Sequence, residues 1–221
     1  MPEKFIDIHC HKDSPSVDII SVRNLFPSEK TVAPGFYSAG LHPWYLNADT
    51  MPEDLEKIRS MVKDKRAVAV GECGLDRLTE TPFTLQEDAF SAQIKIAEEC
   101  GKPLIIHAVR TYSEIISAKK KMKSAIPWII HGFNGNVQIA EQLVSNNFYL
   151  SFGPAIMDSS ARLAKILSEL PEELLFLETD EGHSSIQDLY RAAAKIRKTD
   201  IPRLRDVIMC NFKNCFRIDI R

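Results

Sequence analysis

Short apolar runs alternate along this chain with longer stretches whose apolar positions recur every three or four residues. The runs at 5–10, 18–22, 36–41, 67–71, 103–107, 128–131, 148–152 and 174–178 have strand length. Helix punctuation falls between them. Thr50 with Glu53 and Thr84 with Glu87 have the S/T-x-x-E spacing of a capping box. A helix from Leu85 would bury Leu85, Phe90, Ile94, Ile96 and Ala97 and stop at Gly101. Another starts at Ser113 and ends in the basic run 119–123, which suits the negative end of its dipole and reads as a solvated face. Further helices are expected at 137–145, 159–170, 185–197 and 203–212.

Strands alternating with helices imply an α/β fold, and eight of them a TIM-barrel-like (β/α)8 barrel. The barrel is expected to be incomplete. Too few residues separate 5–10 from 18–22 for the dozen or more that a parallel crossover takes. The second strand is therefore expected to run antiparallel to the first. Residues 24–35 would return as a loop, and the first two helices would be missing. No repeat, low-complexity tract or flexible linker divides the 221 residues, so 1–221 is read as a single domain.

Composition narrows the setting. No stretch approaches the ~20 apolar residues that span a membrane, and the start of the chain lacks the apolar core of a signal peptide. Five cysteines, an odd number with no C-x-x-C pair, favour reduced thiols, and a cytoplasmic location is expected. No feature signals a membrane or protein partner. A formal net charge of −2 gives no general footprint for nucleic acid, so such a substrate would need a local site.

The candidate chemistry sits where the runs end. In the first, alternation places Asp7, His9 and His11 on one face. Alone, an H-x-H pair fits a core histidine beside a surface one better than it fits a metal site. The repetition downstream decides: His42 follows the third run, Glu72 the fourth, His107 the fifth, His131 the sixth and Asp180 the last. Five of the six histidines fall at predicted strand ends, and only His183 does not. Imidazoles with carboxylates suit zinc, and the carboxylates also suit manganese or magnesium. Four histidines and two carboxylates are too many for one tetrahedral ion and enough for two.

In order along the chain stand Asp7-x-His9-x-His11, Gly40-x-His42-Pro43, Gly71-Glu72-x-Gly74-Leu75-Asp76, His107-x-x-Arg110, His131-x-Phe133-x-Gly135, Ser151-x-Gly153 and Glu178-Thr179-Asp180. Asn211-Phe212 through Phe216 looks like a final helix of the same pattern. In these motifs the chain resembles the TatD family of metal-dependent deoxyribonucleases, in a short variant.

The resemblance implies a divalent-metal-dependent hydrolase, a phosphodiesterase or exonuclease-like deoxyribonuclease using a two-metal-activated water. It assigns the metals to His9, His11, Glu72, His107, His131 and Asp180, with Glu72 shared between two ions of zinc, magnesium or manganese. Asp180 would also deprotonate the water, making Asp180 and Glu72 the catalytic pair, while Arg110 would meet the substrate phosphate and His42 would either touch it or stand behind the metal ligands. The expected substrate is DNA. The alternative is a small phosphoester, lactone or amide handled by the same site. Cys10 and Cys73 read as core, Asp7 as a group orienting an imidazole or capping the strand end, and Trp44 and Tyr45 as cleft wall or base-stacking rings. The chain departs from the family in continuing Asp180 with Glu181-Gly182-His183 and in its short segment between His11 and Gly40.

Overall fold

The computed structural model describes residues 4–12, 16–29, 35–158 and 161–219. In chain order the elements are β1 (Phe5–Cys10), β2 (Ile19–Leu25), β3 (Phe36–Ala39), α1 (Met51–Met61) and β4 (Ala67–Asp76). Then come α2 (Phe83–Cys100), β5 (Leu104–Val109), α3 (Tyr112–Met122), β6 (Trp128–Ile130) and α4 (Val137–Ser145). The chain ends with β7 (Phe148–Phe152), α5 (Ala161–Glu169), β8 (Leu175–Leu177), α6 (Ile186–Arg197) and α7 (Ile201–Phe216). Two compact units divide it: 1–23 with 131–221, and 24–130.

In the second unit β3, β4, β5 and β6 pair in parallel. All ten residues of β4 are buried, as expected of a strand flanked on both sides in a covered parallel sheet. Phe90, Ile94 and Ala97 of α2 are buried, and Phe90 meets the Trp128 ring edge-on at 5.7 Å. In the first unit β7 pairs with β8 in parallel, and Cys10 at the end of β1 bridges to Asp180 beyond β8. Buried Tyr190 of α6 anchors β1: its hydroxyl accepts from Ile6 N at 3.1 Å and lies 3.3 Å from Ile6 O.

Three expectations are corrected. The second strand is parallel to the first, with Phe5 opposite Ile19 and Cys10 opposite Arg23. A return beside a six-residue strand covers only ~17 Å at the strand's rise per residue. Eight residues, 11–18, can reach ~26 Å extended, which is long enough for a parallel return without a crossover helix. No helix follows β1 or β2 among the described residues; residues 30–34 of the expected 24–35 loop lie outside them, and β2 itself runs on to Leu25. Neither capping box forms. Thr50 precedes α1 in a helical conformation with no side-chain cap, and α2 begins at Phe83, which puts Thr84 inside it. Finally, α7 starts at Ile201 because Asp200 accepts the Arg203 amide, and it runs on to Phe216. The expected helix start at Ser159 lies outside the described residues.

The fourth strand also outruns its expected end at residue 71, passing through Gly71-Glu72-Cys73-Gly74-Leu75-Asp76. Gly74 makes this possible. Its φ is +146°, and a Cβ there would lie 2.1 Å from the carbonyl oxygen of its β5 partner His107. Gly74→Ala should therefore destabilise the protein by ~2 kcal/mol or more. Urea unfolding monitored by circular dichroism should show the lower midpoint; an unchanged midpoint would mean that the two strands separate freely here.

Candidate metal centre

The extended β4 sets two buried carboxylates on either side of Gly74, and the His107 imidazole fills the gap. His107 Nδ1 lies 3.0 Å from Glu72 Oε1, and Nε2 lies 2.9 Å from Asp76 Oδ2. His42, just beyond β3, brings Nε2 to 3.1 Å from the same Glu72 oxygen. His42, Glu72 and His107 thus offer three donor atoms within 4.8 Å of one another, all buried.

Two glutamines of α2, one helical face apart by seven residues, fix this arrangement from behind. Gln86 accepts from Asp76 N at 2.8 Å and donates to Asp76 O at 3.0 Å. Gln93 does the same for Leu41, at 2.7 and 3.1 Å, and so places the residue before His42. Asn24 accepts the Glu72 amide at 2.7 Å. Burial raises the Asp76 carboxyl, but the hydrogen bonds from His107, Trp44 and the Leu78 amide outweigh it and hold it below the usual carboxylate range.

The first unit holds a second cluster. Asp180 Oδ1 lies 3.3 Å from His11 Nε2 and 3.6 Å from His9 Nε2, and these three residues also offer donors within 4.8 Å. Asp180 sits at φ +52°, held there because its amide donates to His9 O at 3.0 Å. The His131 ring lies 4.5 Å from that of His9, and its Nδ1 lies 3.2 Å from Glu178 Oε1. Asp7 accepts from Thr179 N at 3.0 Å and from Thr179 Oγ1 at 2.7 Å, and so braces the turn before Asp180 rather than an imidazole. Burial pushes the Asp7 carboxyl up to about 7, against the lowering by Thr179.

Within each unit, then, the expected ligands meet: His9, His11, His131 and Asp180 in one, Glu72 and His107 in the other. His42 stands among the donors of Glu72. Arg110 is exposed, follows β5 at φ +55° and makes no hydrogen bond or ion pair to a described residue. His183 is exposed and joins neither cluster. Cys10 and Cys73 are buried, and burial pushes the Cys73 thiol up.

Asp76, Glu178, Gln86 and Gln93 are the residues that reading the sequence overlooks. The glutamines had a signal, being polar residues seven apart on the apolar face of α2. Glu178 did not: it looks like any carboxylate beside Asp180. Buried carboxylates packed against imidazoles are costly without a cation and are the donor set of a divalent ion. The residues fit such ions. Asp76 on His107 and Glu178 on His131 stand where outer carboxylates would fix the orientation of those imidazoles if they held an ion.

Residues 17–217 match the family model of TatD related DNase. The chain belongs to the TatD family. It is 28% identical over 201 residues to the uncharacterized metal-dependent hydrolase YabD of Bacillus subtilis (strain 168), covering 83% of this chain and 78% of the relative. It is 29% identical over 210 residues to the 3′-5′ ssDNA/RNA exonuclease TatD of Musicola paradisiaca (strain Ech703), covering 84% and 79%. Among solved structures, the TatD homologue YjjV of Escherichia coli K12 superposes with a TM-score of 0.84 at 22% identity, over 99% of this chain and 100% of that one. That likeness shows the fold, a TIM-barrel-like α/β barrel. As a TatD-family member the chain is a metal-dependent hydrolase.

Asp76→Asn in this TatD-family chain should keep the packing of the side chain while weakening its hold on His107. Affinity for the ion bound through His107 should fall roughly 10- to 100-fold. Competition with a chromophoric zinc chelator would measure it, and unchanged affinity would mean that Asp76 merely fills space.

Proposed function

We propose that the protein is a two-metal phosphodiesterase that trims single-stranded nucleic acid as an exonuclease. The observation that carries it is the pair of imidazole–carboxylate clusters, one buried and one partly exposed, in a chain of the TatD family. In this proposal residues 1–221 form one hydrolase domain. His9, His11 and Asp180 hold one divalent ion, His107 and His131 hold the other, and Glu72 is shared. Such ions, zinc, magnesium or manganese, supply Lewis acidity and lower the pKa of water toward neutrality.

The chain's own residues do the rest. The Asp180 carboxylate accepts the proton of the attacking water at Oδ1, the oxygen that faces His9 and His11. Glu72 keeps His42 and His107 in register through its Oε1. Arg110, whose guanidinium engages no described residue, binds the scissile phosphate together with His42 and neutralises charge developing on its oxygens. A cavity of about 170 Å³ beside Asp180, lined by Phe133, Gly153, Pro154 and Glu178, gives room for part of the substrate. Among the described residues no helix is long and apolar enough to cross a membrane. The five free cysteines support a reducing compartment, the cytoplasm. The net charge of −2 favours a second reading, in which the same residues hydrolyse a small phosphoester, lactone or amide.

Metal-stripped protein should leave a single-stranded oligonucleotide intact and regain cleavage when magnesium, manganese or zinc is restored. Glu72→Ala, His107→Ala and Asp180→Asn should each lower kcat by at least ~100-fold. Full activity in any of the three would reject the assigned roles. Turnover of simple esters or amides with none of DNA or RNA would establish the second reading instead.

A further inference from the structure

The described residues carry four exposed large hydrophobic side chains, and three of them gather beside the His42–Glu72–His107 cluster: Trp44 at 53% exposed, Tyr45 at 64% and Leu78 at 62%. Asp76 ties two of these to the cluster. Its Oδ2 accepts the Trp44 indole N–H at 2.6 Å, and its Oδ1 accepts the Leu78 amide at 2.7 Å. At its other end Trp44 is held by its own amide, which donates to His42 Nδ1 at 3.2 Å within the turn Pro43–Tyr45. The indole stands edge-to-face to His42 at 4.8 Å and to His107 at 5.7 Å, and to Tyr45 at 6.4 Å.

A half-exposed indole with a satisfied N–H, fixed in rotamer by a buried carboxylate, gains nothing for the core. It is what a stacking surface needs: a flat apolar face, ordered before the ligand arrives, so that binding costs little side-chain entropy. Planar ligands that also carry the phosphate this cluster would process are nucleotides. Bases inside a duplex already cover one another's faces, whereas an unpaired base has a face to offer, and every base has one.

We propose that Trp44, with Tyr45 beside it, is the platform on which an unpaired nucleobase stacks next to the phosphodiester at the His42–Glu72–His107 cluster. This rests on the phosphodiesterase reading above and adds to it the surface that receives the unpaired base, with little discrimination among bases.

The test uses the full chain loaded with manganese and single-stranded oligonucleotides whose phosphorothioate linkages resist hydrolysis, one with bases and one abasic of equal length. The chain has two tryptophans, and Trp128 is fully buried, so quenching of indole emission reports Trp44. The base-containing strand should quench the wild-type protein and the abasic strand should not. Trp44→Ala should raise Kd for the base-containing strand by ~10-fold or more and leave Kd for the abasic strand unchanged. Trp44→Phe, which keeps a ring but loses the bond to Asp76, should bind within a few-fold of wild type. Equal losses by Trp44→Ala on both strands, or no loss on either, would overturn the platform while the phosphodiesterase reading stands. If the wild type binds neither strand, that reading falls and the platform with it.

Discussion

The site in the second unit depends on one arrangement: an imidazole held between two buried carboxylates. With Nδ1 on Glu72 and Nε2 on Asp76, the His107 ring has a single orientation. That requires β4 and β5 to approach so closely at residue 74 that only glycine fits. The same approach keeps β4 extended as far as Asp76, so the strand that supplies the carboxylates also supplies the gap between them. Polar groups this deeply buried are stable only when all are satisfied. Gln86, Gln93 and Asn24 meet the backbone groups that the two strand ends leave over. The packing of α2 and the geometry of the ligands are therefore one problem with one solution.

The first unit solves the corresponding problem with backbone bonds. Asp180 leaves β8 in a left-handed conformation that few residues adopt, and it stays there because its amide and carbonyl join the end of β1. Asp7 holds the preceding Thr179 by its amide and hydroxyl, and Tyr190 pins β1 at Ile6. The three donors His9, His11 and Asp180 thus rest on two strands and a helix that cannot shift independently.

Much of this was legible in the residues. Alternation alone puts His9 and His11 on one face, and strand-end histidines recur too often to be scatter. The parallel second strand was not legible, because the rule that asks for a dozen or more residues concerns crossovers through helices, and eight residues already reach far enough for a parallel return. The capping boxes misled because Thr50 and Thr84 match a spacing, and spacing does not guarantee the extended backbone that a cap needs. Asp76 was visible in its motif but not in its role: nothing local says that a residue two past a glycine turns toward an imidazole on the next strand. Such partners emerge only from register.

Charge explains why an aromatic rim belongs with this site. The chain carries a net −2, and Glu72, Asp76 and Glu178 are buried beside the imidazoles, so its own side chains there repel a phosphate. A protein that grips nucleic acid through many lysines and arginines gains affinity by releasing counterions. This one has no such surface excess. In the proposed reaction the cations that the two clusters would hold would offset this charge locally, at one or two phosphates. The remaining affinity has to come from contacts that charge does not supply. Exposed apolar side chains at the edge of the second unit's cluster, Trp44 and Tyr45 with Leu78 beside them, are placed to provide them. Tethering Trp44 to the carboxylate that orients His107 joins the two requirements, so that the group meeting the base and the group meeting the ion share a single support.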